Sequence, residues 1–159
     1  TGKQFHAKKN HLNQFVKNNE YEYKRISSKD IPSVMDLLEV WNQKKAYSSD
    51  LNIEKQAINE LLNYDVGIDY KAGVVISDSK IVAFSIGEQI SEDMACVYFE
   101  KADVSIKGSY AVINNEFIKN EFSHVKYINR QEDLGIEGLK RAKESYNPVF
   151  KVENYSMKL

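Results

Sequence analysis

The sequence predicts an α+β domain in which helices pack around a mixed sheet, and three observations carry that reading. Ala72 to Ser77, Ile81 to Glu88 and Met94 to Lys101 are apolar, β-branched runs separated by Asp78-Ser79-Lys80 and Ser91-Glu92-Asp93, both natural hairpin loops, so they form an antiparallel meander. Ahead of the meander, two stretches carry apolar residues at helical spacing. Behind it a helix, a strand and a further helix close the chain.

Element by element, Phe5, Leu12, Phe15 and Val16 recur among Lys, Asn and His, which predicts an exposed amphipathic helix over about 5–19. Tyr21 to Ile26 alternates and is a short strand. Ser28 before Asp30-Ile31-Pro32 is a helix start with proline in the first turn. Val34, Leu37, Leu38 and Trp41 trace the buried face of that helix, which ends near Lys45. A loop over 46–50 follows, and Ser49 or Asp50 caps a second helix carrying Ile53, Ala57, Ile58, Leu61 and Leu62. After the meander, Gly108 opens a helix with Tyr110, Val112, Ile113, Phe117 and Ile118, ending near Phe122. A strand Val125–Ile128, a helix Leu134–Ser145 and an extended piece from Pro148 through Tyr155 complete the order.

Composition narrows the function classes. With 159 residues the chain suits one domain, and 42% hydrophobic with 28% charged residues is an ordinary globular balance. A net charge of -1 excludes wholesale coating of nucleic acid. Charge is uneven, however: Lys3, Lys8, Lys9, Lys17, Lys24 and Arg25 face only Glu20 and Glu22 in the first 25 residues. Such an arm either meets phosphate or is a solvated helix face. The single cysteine, Cys96, precludes an internal disulfide and sits in an apolar run, as a buried inert thiol does. No run approaches the ~20 apolar residues of a membrane span; the lone cysteine fits a reducing compartment, so a cytoplasmic domain is expected. His6, His11 and His124 lack metal-ligand spacing, so no metal is expected.

Three constellations can carry chemistry. Glu100 and Lys101 are adjacent at the end of the third meander strand, with Lys101 on the Phe99 face. If that face is buried, Lys101 must leave the core or find a partner. Near a helix amino terminus the pair could bind an anion and act as acid or base, or form a strand-end salt bridge. Lys107 and Gly108 lie in the turn before the next helix, where backbone amides favour an anion, although a plain turn explains the spacing too. Last, Asn129-Arg130-Gln131-Glu132-Asp133 crowds polar groups at a strand's carboxyl end. Arg130 offers a planar fork to phosphate or carboxylate. Glu132 and Asp133 either cap the following helix or serve as base or substrate-amine ligands.

Residues Ile128 to Leu139, then Ala142-Lys143 and Ser145-Tyr146-Asn147-Pro148, resemble the signature of the phosphatidylglycerol lysyltransferase C-terminal-like family. So do Lys8, Asn10, His11 and Asn13 within 6–15, and Phe99-Glu100-Lys101-Ala102-Asp103 followed by Lys107-Gly108 and Asn114. The resemblance implies a GNAT-like acyltransferase fold, with residues 1–20 a basic connecting helix and 21–159 a single GNAT-like domain. That domain would be the C-terminal half of a longer, membrane-associated protein, behind an N-terminal GNAT-like domain. It further implies transfer of an aminoacyl group from aminoacyl-transfer RNA to an amine or hydroxyl of a lipid or small molecule. Glu100, Lys101 and Asp133 are then the catalytic candidates; Arg130, Glu132, Asn129, Lys107, Gly108, Asn114 and Tyr146 bind substrate; Lys8, Lys9 and His11 contact nucleic acid. No cofactor is expected. Acetyl-CoA is the alternative, but Ser105 stands where coenzyme-dependent relatives carry Arg or Gln, and Tyr110 would crowd a pyrophosphate. A non-catalytic ligand-binding or interaction module is the third reading.

Overall fold

The computed structural model describes residues 5–43, 49–64, 67–153 and 157. Among them run α1 (His6–Asn18), β1 (Tyr21–Arg25), α2 (Ile31–Gln43), α3 (Ser49–Asn63), β2 (Tyr70–Ser77), β3 (Lys80–Ser91), β4 (Met94–Ala102), α4 (Ser109–Glu121), β5 (Tyr127–Asn129) and α5 (Glu137–Glu144). The predicted end of α2 near Lys45, most of the 46–50 loop and the capping side chains Ser49 and Asp50 lie outside the described residues.

The five strands pair in chain order, antiparallel as far as β4 and parallel from β4 to β5. Helices α1 and α4 cover one face, where Phe15, Val112 and Ile113 meet Val75, Val82 and Ala102, while Phe117 and Phe122 meet Ala95 and Val97. On the opposite face Val34, Leu37 and Leu38 of α2 and Ile58 of α3 pack on Val74, Phe84 and Ile86. A central sheet with apolar side chains on both faces needs both layers, which is why the meander runs are apolar nearly throughout.

Helix α2 is entered through a 3-10 turn, Ser28–Asp30. Asp30 accepts hydrogen bonds from the Ser27 amide at 2.9 Å and hydroxyl at 2.6 Å, and pairs with Lys24 at 2.7 Å. Burial opposes ionisation of Asp30, but these bonds together outweigh it and hold its pKa down at about 2. A depressed carboxyl stabilises the fold above its unfolded pKa, and that stability drains away as pH falls through the folded value. Asp30→Ala should therefore cost about 1 kcal/mol at neutral pH. The difference between variant and parent should vanish as pH falls from about 4 to 2, and urea melts along that range check it. A gap that stays constant with pH would contradict this account.

Two features set up the site. The β4–β5 ladder holds only Met94–Tyr127, Ala95–Ile128 and Cys96–Asn129; beyond Asn129 the strand stops while β4 continues to Ala102. The two strands therefore part at that end. A bulge in β4 decides what faces it. Val97 pairs with Gly87 and Phe99 with Ile86, leaving Tyr98 as the extra residue. An extra residue shifts the alternation by one. Ala95 and Val97 face α4, yet so do Glu100 and Ala102, whereas Phe99 packs beneath α2 and α3. Unbroken alternation would have set Glu100 on the other face from Val97.

Candidate active site at the parting of β4 and β5

Glu100 is the centre of the site. Its side chain is 9% exposed, and both oxygens are engaged: Oε1 accepts from Arg130 Nη2 at 2.7 Å and Oε2 from Asn114 Nδ2 of α4 at 2.9 Å. Arg130 follows the last residue of β5, so this ion pair bridges the opening between the two strands. The Arg130 Cζ lies 4.4 Å from the centroid of the Tyr146 ring, and Lys8 Nζ of α1 lies 4.3 Å from the same centroid. Arg130 Nε is buried and has no hydrogen-bond partner among the described residues. A buried donor without a partner is costly and calls for an explanation.

The loop that carries Arg130 is pinned from α5. Lys143 Nζ donates to the Arg130 carbonyl at 2.6 Å and also to the Glu132 carbonyl. Burial lowers the pKa of Lys143, with the Arg130 guanidinium adding to it; the same two causes, in the same order, lower that of Lys8. Burial pushes the Tyr146 phenol up. Several cations thus converge on one carboxylate, and for Lys8 and Lys143 burial first, then the guanidinium, disfavours the charged form.

The structure separates other predicted residues from this centre. Glu100 and Lys101 do not pair with each other. Lys101, 8% exposed, points to the opposite face, where it meets Glu54 at 2.7 Å and lies 3.8 Å from the Trp41 ring centroid. Its predicted need for a partner is met there. Asp133 and Glu132 do not cap the last helix: α5 begins at Glu137 with Ile136 as its N-cap and no side-chain cap. Asp133 instead accepts from the Gly135 amide at 3.0 Å, closing a tight turn in which Leu134 and Gly135 have φ of 53° and 69°. Asn129 accepts from the Gln131 amide at 2.8 Å. Lys107 is exposed. Arg141 forms a surface pair with Glu137 at 2.9 Å.

The start of α4 is not open to an anion. A Cβ on Gly108 would lie 2.3 Å from the His11 carbonyl oxygen, because α1 lies directly on this turn. Ser109 is 2% exposed and its hydroxyl donates to the Asp103 carbonyl. Tyr110 turns away, accepting from Trp41 Nε1 at 2.8 Å. Acetyl-CoA, which a GNAT-like fold brings to mind, would need its pyrophosphate on such a helix start. The residues present do not fit that group. Of the predicted nucleic-acid residues, Lys8 and Lys9 line the groove between α1 and α4, while His11 has an exposed side chain.

Sequence reasoning missed Lys143 as a clamp on the Arg130 loop and the Tyr98–Glu88 hydrogen bond beside the bulge. It named Lys8 and Tyr146 separately without seeing that they meet. Another buried carboxylate, Glu121, is saturated by Arg25 and by the Tyr23 hydroxyl and serves packing.

The layered sheet, whose β4 and β5 part after a short parallel ladder, defines a GNAT-like acyltransferase fold, and solved structures agree. A possible acetyltransferase from Clostridium difficile aligns with TM-score 0.64 at 16% identity, covering 87% of this chain and 97% of that one. Ribosomal-protein-alanine N-acetyltransferase of Brucella melitensis gives 0.63 at 12%, covering 88% and 100%. Residues 1–158 match the phosphatidylglycerol lysyltransferase C-terminal family, and the chain belongs to it. A conserved protein of unknown function from Bacteroides thetaiotaomicron is 40% identical with TM-score 0.84, over 94% of this chain and 52% of that one. An uncharacterised protein of Mycoplasmoides gallisepticum is 26% identical over all of this chain and 52% of its own length. The chain thus spans about half the length of these two relatives. Among the described residues no helix is long and apolar enough to cross a membrane.

Proposed function

We propose that this domain transfers an aminoacyl group from aminoacyl-transfer RNA to an amine or hydroxyl acceptor at the Glu100–Arg130 pair. The acceptor belongs to a lipid or small molecule, and a second GNAT-like domain in the full-length chain helps present it. The observation that carries this reading is Glu100, a buried carboxylate held by Arg130 and Asn114 where β4 and β5 part. The fold and the family support the acyltransferase class; the family likeness and the basic face of α1 support the donor.

Each Glu100 oxygen accepts one bond here and retains capacity for another. The acceptor nitrogen or oxygen attacks the ester carbonyl carbon, and its proton passes to Glu100. The new bond to the acyl carbon gives a tetrahedral intermediate, whose collapse breaks the bond to the ribose oxygen, and that oxygen leaves with the proton from Glu100. The Arg130 guanidinium beside Glu100 steadies the negative carbonyl oxygen of that intermediate.

In the full-length protein, Glu100→Gln should lower transfer of a labelled amino acid from charged transfer RNA by about 10²–10³-fold. Arg130→Lys keeps the charge but loses the planar fork, and should cost about tenfold or more. Full activity in both variants would refute the assignment. Acetyl transfer from acetyl-CoA would instead support the coenzyme-dependent reading, and ligand binding without any transfer the non-catalytic module.

A further inference from the structure

Helix α1 does two things at once. Its His11 carbonyl and Phe15 seal the turn at Gly108, so the start of α4 is closed. The same helix lays Lys8 and Lys9 along the middle of α4, where an open groove of about 390 Å3 remains. Its floor is apolar, with Leu12 from α1 and Ala111 and Ile118 from α4. Its charges are Lys8, Lys9 and Lys119, and among the described residues no carboxylate lines it. Asn114 and Tyr146 belong both to this groove and to the Glu100–Arg130 centre, so the groove leads directly to the site.

We infer that α1 moves anion recognition from the start of α4 to this groove, which binds an organic anion with a short apolar body. Lys9 and Lys119 take the charge, and Leu12, Ala111 and Ile118 take the apolar part. The cations around the groove raise the local concentration of anions, and the walls add burial that an inorganic ion cannot use. The volume lies within the range of small-molecule sites, roughly 300–1,000 Å3. The groove geometry carries this inference independently of the transfer reaction, and binding is read without turnover, so either can fail alone.

The test titrates the protein with hexyl phosphate, inorganic phosphate, hexanol and hexylamine, by calorimetry at low and high salt. Hexyl phosphate should bind, weakening as salt rises, whereas hexanol and hexylamine should not bind detectably. Inorganic phosphate should bind about tenfold more weakly or worse, having no apolar body. Lys9→Gln with Lys119→Gln should weaken hexyl phosphate by about tenfold without shifting the melting temperature, because both side chains lie at the surface. Ala111→Glu, which fills the floor and sets a carboxylate among the cations, should abolish binding. Unchanged affinity in the lysine double variant and in Ala111→Glu, equal binding of hexylamine, or phosphate binding as tightly as hexyl phosphate would each overturn the inference.

Discussion

Gly108→Val should lower the unfolding free energy by about 4 kcal/mol or more, a large share of the roughly 5–15 kcal/mol typical of a domain. Two costs add. Gly108 has φ of +91°, a backbone state that costs a β-branched residue about 1–2 kcal/mol. The larger cost is steric. The new Cβ would stand 2.3 Å from the His11 carbonyl oxygen and 2.9 Å from Phe15 Cβ, and the first of these is backbone that cannot swing aside. Helix α1 must lift, and Phe15, fully buried against Val112 and Ile113, loses its seat. Loss of a buried phenylalanine's packing costs about 3–5 kcal/mol.

Gly135 supplies the control. It too has a positive φ, +69°, but nothing lies within 4 Å of its would-be Cβ, so Gly135→Ala should cost only about 1 kcal/mol. Guanidinium melts measure both variants, and amide exchange should show α1 losing protection first in Gly108→Val. A melting temperature within about 2 °C of the parent would mean that α1 does not lean on this turn.

That contact explains what the sequence could and could not show. Helix α1 was legible as a basic amphipathic helix because Leu12 and Phe15 follow its period. Its place over Gly108 depends on residues almost a hundred positions away, and no local pattern encodes it. The meander was legible because β-branched runs alternate with polar hairpin turns. The bulge at Tyr98 was not, since one extra residue leaves composition and spacing unchanged while moving Glu100 to the α4 face. At 132–136 the acidic pair resembles a helix cap, but Asp133 spends its side chain on the Gly135 amide and the helix starts later. The closing stretch from Pro148 is not a strand through residue 153, and 154–156 lie outside the described residues. Of the site, Glu100, Asn114, Arg130 and Tyr146 were all named from sequence. Their meeting was not, because it depends on β4 and β5 diverging.

The Glu100–Arg130 pair should be costly to break from one side and cheap to remove whole. Arg130→Met leaves a carboxylate, its side chain 9% exposed, with the Asn114 hydrogen bond and the more distant charges of Lys8 and Lys143 in place of its direct ion pair. Glu100→Gln leaves Arg130, 22% exposed, beside Lys8 and Lys143 with their common counter-charge gone. Each single variant should lose about 3 kcal/mol. The Glu100→Gln, Arg130→Met double variant removes both charges and keeps an apolar stem against the Tyr146 ring, so it should return to within about 1 kcal/mol of the parent. Denaturant melts of the four proteins give the coupling as a double-mutant cycle, and strictly additive single losses would show that the two charges do not depend on each other. A stable double variant that transfers nothing would place the value of this pair in chemistry.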